Sequence, residues 1–138
     1  MKVLIDTNIV IDAIDIRTPF NKYAEELLLL AAGNKFSPFL TSKSICDIFY
    51  LAHRRFQNNE ETKNLIRDLL SIYSVLDTKS QDCIEALESP TSDYEDAVME
   101  ATAKREKMDC IVSRNTQNFK DPDIPCYSPS EFLELISK

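Results

Sequence analysis

The sequence predicts an α/β protein, a three-layer α/β/α sandwich around a mostly parallel central sheet. Three observations lead there. Short apolar runs alternate with stretches of helical periodicity from one end of the chain to the other. The opening run Val3-Leu4-Ile5 shows no polar alternation, as expected of a strand covered on both faces. With 138 residues and no repeat or linker, the chain fits a single domain, 1–138, long enough to bury a core.

The elements follow in order. After the first strand, Phe20, Ala24, Leu27, Leu28 and Ala31 keep helical spacing, and Gly33-Asn34 is a helix-ending pair. Phe36 to Leu40 reads as a strand, which Pro38 assigns to an irregular or edge position. Ile45, Ile48, Phe49, Ala52 and Phe56 define an amphipathic helix. Asn58 with Glu61 opens another, which carries Leu65, Ile66, Leu69 and Leu70. Ile72 to Leu76 is a strand, and Thr78 with Gln81 caps the helix after it. Asp93 and Asp96 start a helix that runs to about Lys107, with Tyr94, Ala97, Val98 and Ala101 on its core face. Cys110 to Ser113 is a buried strand and Pro125 to Tyr127 a short one. Ser128-Pro129-Ser130-Glu131 is a helix start with Pro at the first helical position, and that helix buries Phe132, Leu133 and Ile136.

Composition removes several function classes. The single glycine, Gly33, leaves no glycine-rich dinucleotide fingerprint and no phosphate-cradling loop. Four dispersed cysteines and one histidine make a zinc cluster unexpected, and Cys110 and Cys126 read as buried, reduced thiols. No run approaches the roughly eighteen apolar residues of a membrane span, and no signal segment precedes the first strand, so a cytoplasmic location is expected. The net charge is −7, but from Asp77 to Glu100 eight acids face Lys79 alone. That stretch carries the whole excess. The balanced remainder keeps basic clusters at His53-Arg54-Arg55 and Lys104-Arg105, with Arg114 and Lys120 beyond, which permits an anionic substrate.

Chemistry is expected at the carboxyl edge of the sheet, where open parallel sheets bind ligands. The first strand delivers Asp6 there. Asp93, Asp96 and Glu100 share a helix face at i, i+3 and i+7, although helix-start acids also serve as caps and Glu100 pairs naturally with Lys104 at i+4. Asp47 stands beside Leu51 at the rim of an apolar arc and by itself reads as a solvated acid. Asn115 follows the Cys110–Ser113 strand and brings an amide without charge. Gathered carboxylates repel unless a cation neutralises them, and a donor set without His or Cys selects Mg²⁺ or Mn²⁺. Phosphoryl transfer is the reaction that such a site suits.

Strings in a fixed order then carry a resemblance: V-L-I-D-T-N at 3–8, S-I-C-D-I-F-Y at 44–50, D-Y-E-D-A-V-x-E-A-T-A at 93–103 and C-I-V-S-R-N-T-Q-N-F at 110–119. Together with Tyr127-Ser128-Pro129-x-Glu131-Phe132-Leu133 they resemble the PIN-domain ribonucleases, in particular VapC-like toxins of type II toxin–antitoxin pairs. The resemblance implies an acidic pocket holding Mg²⁺ or Mn²⁺ and cleaving single-stranded RNA. It implies catalytic and metal-binding roles for Asp6, Asp47, Asp93 and Asp96, a neutral metal ligand in Asn115, and support from Thr7, Asn8 and Ser113. Asp47 stands where the family commonly has glutamate. Asn115 stands where many members carry a fourth aspartate, and Asn118 replaces the aspartate often found before Phe119. A cognate antitoxin and a homodimer are the implied partners.

Two readings of different class stay open. One is an active metal-dependent nuclease. The other is a PIN-like binding module whose pocket Asn115 has weakened. A haloacid-dehalogenase phosphatase would need Asp where Asn8 stands, and a receiver domain would need paired N-terminal acids and a late lysine. Arg54, Arg55 and Arg114 are candidate contacts to an RNA backbone. His53 beside them reads as a surface group or at most a phosphate contact, and Tyr50, Phe56 and Tyr94 as core aromatics or stacking platforms.

Overall fold

Val3, Leu4 and Ile5 are all but fully buried, because the strand they form lies in the middle of a sheet with helices on both faces. The computed structural model describes all 138 residues. In chain order the elements are β1 (Lys2–Ile5), α1 (Thr7–Ile14), α2 (Asn21–Ala32), β2 (Ser37–Thr41), α3 (Ser42–Phe56), α4 (Asn59–Ile72) and β3 (Ser74–Leu76). There follow α5 (Ser80–Ala86), α6 (Tyr94–Arg105), β4 (Cys110–Val112), a 3₁₀ turn at Thr116–Asn118, β5 (Cys126–Tyr127) and α7 (Pro129–Ile136).

The five strands are all parallel, in the order β3-β2-β1-β4-β5. The order reverses between β1 and β4, so the crevice at their carboxyl ends is the topological switch point of the sheet. Side-chain alternation then divides the core. Val3, Ile5, Cys110 and Val112 join the larger cluster with Ile9, Leu27, Leu69 and Phe132, from α1, α2, α4 and α7. Leu4 and Ile111 point the other way and pack with Ala103 of α6 and with Met108. Phe36 meets Phe132 edge-on at 5.1 Å, which ties the entry to β2 to α7.

The structure departs from the sequence reading at several points, each with a local cause. Helix α1 begins directly after Asp6, where Ile9-Val10-Ile11 gives no helical signal. Burial of all three side chains outweighs the weak helix propensity of β-branched residues. Pro38 lies in an interior strand, not at an edge. Ser37 donates its N–H to the Met1 carbonyl beside β1, so ladder alternation turns the Pro38 nitrogen toward β3. Strand β3 pairs only from Phe39 onward, so no bond is lost there. At the end of α2 the left-handed residue is Asn34 (φ 57°), with Lys35 N–H donating to the Leu30 carbonyl, while Gly33 keeps an ordinary negative φ.

Helix α5 is preceded by Lys79, not capped by Thr78. Asp82, three residues on, accepts the Lys79 N–H at 3.0 Å. The Asn58 and Ser128 caps form as expected, and Glu131 closes its capping box at Ser128 N–H. All four cysteines are free, and burial pushes the Cys110 and Cys126 thiols up to about 12. No helix is long and apolar enough to cross a membrane.

Candidate active site

Asp6 ends β1 and is the residue at which α1 starts. Its own N–H completes the sheet ladder to the Val112 carbonyl at 2.9 Å. Its carboxylate does not cap α1 and instead accepts the Ser113 hydroxyl at 2.7 Å, across the switch point. Burial raises the Asp6 pKa. The Ser113 hydroxyl, the Thr7 N–H and the Arg114 charge oppose that rise, and the Asp93 charge adds to it. Ser113 is itself fully buried and accepts the Asn115 N–H at 3.0 Å. The β4 loop therefore supports Asp6 through a hydroxyl bridge, and Asn115 contributes its backbone to that bridge.

Helix α6 supplies the second acidic group. Asp93 caps it by accepting the Asp96 N–H at 3.1 Å, so the cap that fixes the helix start also positions two carboxylates. The Asp96 carboxyl is pushed up to about 6 by desolvation, then by the Asp6 and Asp93 charges, while Asn118 Nδ2 donates to it at 3.2 Å. Asp6, Asp93 and Asp96 are thus near enough to feel one another's charge.

Helix α3 forms the facing wall. Thr41 caps it, and Thr7 and Thr41 both donate to the Ser44 hydroxyl, at 2.9 and 3.0 Å. That knot fixes α1 and α3 to the end of β2. One turn apart on α3, Lys43 holds Asp47 at 2.7 Å and reaches Glu95 of α6 at 3.5 Å. Asp47 therefore has a lysine partner and is not simply solvated. Asn8 places its Oδ1 in the interior with no hydrogen-bond partner.

A cleft of about 480 Å³ brings together Asp6, Thr7, Asn8, Asp47, Asp93, Asp96 and Asn115, with Arg54 also in its wall. Two of the candidate RNA contacts have carboxylate partners within the fold. Arg55 is drawn away to Asp15 at 3.1 Å and to the Ile14 carbonyl. Arg114 is held at 2.6 Å by the buried Asp12 and lies 4.2 Å from the centroid of the Phe20 ring. In each case a carboxylate of α1 or its C-terminal end takes the guanidinium. Glu100 does not pair with Lys104 either. It turns inward, accepts the Thr91 hydroxyl and the Asp121 N–H, and leaves Lys104 to Asp121 and Asp123.

His53 stacks on Phe49 and shares a hydrogen bond with Thr62, a structural role at the α3–α4 junction. Tyr94 is about half exposed, its hydroxyl donating to the Cys83 carbonyl, so it leaves the core face assigned to it. Sequence reasoning missed Lys43, Glu95 and Arg17 as cleft residues. Only the i, i+4 spacing of Lys43 and Asp47 could have signalled one of them.

Neither His nor Cys lines the cleft, so its donors are hard oxygens, which suit Mg²⁺ or Mn²⁺ better than zinc. Asp6, Asp93 and Asp96 repel one another, and the Asn8 oxygen is buried without a partner; a cation would relieve the first and could be met by the second. In this arrangement no three acidic side chains converge on one point, and Asn118 and Lys43 partly neutralise the carboxylates. The chemistry of the donor set fits a hard cation, which Asp6, Asp93 and Asp96 would hold by closing on it. Lys43 takes one oxygen of Asp47 and leaves the other without a protein partner.

Fold and cleft together define an α/β protein with an acidic site at the switch point of a parallel sheet. The PIN domain family profile matches residues 2–117, and the chain belongs to that family. It is 26% identical to Ribonuclease VapC1 of Aquifex aeolicus over 141 residues, covering 96% of this chain and 94% of that protein. The DNA-bound VapBC structure from Salmonella typhimurium superposes with TM-score 0.67 at 19% identity, over 94% of this chain and 98% of that one. VapBC-1 from nontypeable Haemophilus influenzae gives 0.67 at 16% identity, over 94% and 99%.

Proposed function

We propose that the chain is a Mg²⁺- or Mn²⁺-dependent endoribonuclease that hydrolyses phosphodiester bonds of single-stranded RNA, acting as a single domain, 1–138. The observation that carries this reading is the set of Asp6, Asp93 and Asp96 at the switch point, close enough to help raise the Asp96 carboxyl to about 6. Such a set is unfavourable by itself and becomes favourable around a divalent cation. Membership of the PIN family and likeness to a VapC ribonuclease support the same reaction.

Bound among these acids, the ion would polarise a phosphate oxygen and lower the pKa of the attacking water. The chain's own residues prepare that chemistry. Ser113 fixes the Asp6 carboxylate in one orientation, and its hydroxyl favours the ionised form. Asp96, raised to about 6 by desolvation and the neighbouring acids, would release its proton on binding a cation, so cation binding should strengthen as pH rises through that range. Asn118 orients Asp96. Lys43, lining the cleft between Asp47 and Glu95, offers a positive charge to a phosphate that displaces those partners.

The reading extends to a toxin with a cognate antitoxin, since the Salmonella and Haemophilus structures of like fold are VapBC assemblies, and to the homodimer that the family resemblance implies. A second reading rests on Asn115. Its neutral amide lines the cleft where another acid would strengthen cation binding, so the fold would serve as a weakly active binding module. Incubation of the purified protein with mixed RNAs, with Mg²⁺ or Mn²⁺ and with EDTA, tests the first reading. Chelator-sensitive cleavage is expected. Intact RNA, with no saturable Mn²⁺ binding by calorimetry, favours the second.

A further inference from the structure

An acidic centre of this kind repels the polyanion it is meant to cut, so something nearby must hold the strand. Helix α3 carries the residues for that. Lys43, Asp47, Tyr50 and Arg54 recur at i, i+4, i+7 and i+11, one face of the helix, and all four line the cleft. Tyr50 is 69% exposed, an unusual condition for a tyrosine in a cleft wall. Its one aromatic neighbour, Phe49, meets it edge to face at 6.0 Å, leaving most of the tyrosine open. Arg54 has no carboxylate within 4.0 Å, whereas its neighbour Arg55 is clamped to Asp15. Of two adjacent arginines, one holds the fold and the other stays available. Arg17, also in the cleft, has only a loose 3.5 Å contact to Asp15.

We propose that Tyr50 and Arg54 form a nucleotide subsite on α3, with the Tyr50 ring stacking an unpaired base next to the scissile phosphate and Arg54 binding the adjoining phosphate. This deepens the ribonuclease reading and rests on it. A stacking platform beside a guanidinium selects single strands over duplexes, because only unpaired bases offer a free face. Stacking tolerates any base, so the subsite sets strandedness and register and leaves sequence choice to other contacts.

The test separates this subsite from the chemistry by measuring binding alone. Short fluorescent oligoribonucleotides and a matched abasic ribose–phosphate oligomer are titrated with Ca²⁺ present and again in EDTA, using wild type, Tyr50→Ala, Tyr50→Phe and Arg54→Ala. Circular dichroism confirms that each variant is folded. Wild type should prefer the base-carrying oligomers by roughly 5- to 150-fold, the range for one stacked base. Tyr50→Ala should lose that preference, Tyr50→Phe should keep it, and Arg54→Ala should weaken both ligands alike and flatten the salt dependence. The subsite is overturned if wild type binds both oligomers equally, or not at all, or if Tyr50→Ala retains the preference. A protein that shows the preference yet never cuts RNA would keep the subsite and discard the nuclease.

Discussion

Replacing Asp96 with asparagine should make the cation-free protein more stable at neutral pH while removing a group that the proposed chemistry needs. The Asp96 carboxyl titrates near 6 in the folded protein and near its ordinary 3.8 when unfolded. The folded state therefore binds a proton that the unfolded state has released, and stability falls as pH rises through that window. A shift of about 2 units corresponds to about 3 kcal/mol if Asp96 were fully shielded. It is only partly buried, and solvent screening reduces this to about 1–2 kcal/mol. The substituted amide keeps an oxygen to accept from Asn118 and carries no charge to repel Asp6 or Asp93. In EDTA at about pH 7.5 the Asp96→Asn variant should melt ~4–8 °C above wild type by circular dichroism. At about pH 3 the two should nearly coincide, because wild-type Asp96 is then largely protonated in both the folded and the unfolded state. Added Mn²⁺ should raise the melting temperature of wild type more than that of the variant. A variant less stable than wild type at neutral pH, or a gain undiminished at about pH 3, would refute the claim that Asp96 is strained by burial beside neighbouring carboxylates.

Asn115→Asp should tighten Mn²⁺ binding by roughly tenfold in calorimetric titration, since it returns a charge to a cleft whose other donors already repel one another; unchanged affinity would place residue 115 outside the cation's reach. Asp82→Ala should cost about 3–5 kcal/mol in urea denaturation, because it strips Arg105 of a fully buried partner at 2.9 Å, and should leave Mn²⁺ affinity unaltered. Burial favours protonation of Asp82, but Arg105, the Lys79 N–H and Thr102 together hold its pKa below the ordinary value. Its stabilisation is therefore present above about pH 4 and lost on further acidification, which the urea midpoint of wild type against Asp82→Ala should track. Phe132→Ala should destabilise by ~3–5 kcal/mol, the range for emptying a fully buried aromatic site.

The sheet and most helices were legible because their signals are local. The apolar run at Val3–Ile5, the caps at Asn58 and Ser128, and the periodicity of α3 and α4 each need only neighbouring residues to be read. Helix α1 was not legible, because its three β-branched residues become helical only when the core claims them. Pro38 misled for a similar reason: what excuses it is where β3 happens to begin.

At the site, Asp6, Asp93 and Asp96 could be located because strand end and helix start fix them. Partner choice could not be read. Whether Arg114 meets RNA or Asp12, and whether Glu100 meets Lys104 or Thr91, depends on a residue far back in the chain in the first case and on a loop in the second. The resemblance supplied the grouping of the acids, and the geometry supplied their mutual strain and the lysine that occupies Asp47.

The most direct measurement is RNA cleavage by wild type and Asp6→Asn, both shown to be folded, with Mn²⁺ and with EDTA. Cleavage by wild type in Mn²⁺ alone, reduced by several orders of magnitude in Asp6→Asn, is the predicted result. Equal cleavage by the two proteins, or cleavage that survives the chelator, would contradict the assignment of this cleft as a cation-dependent nuclease centre.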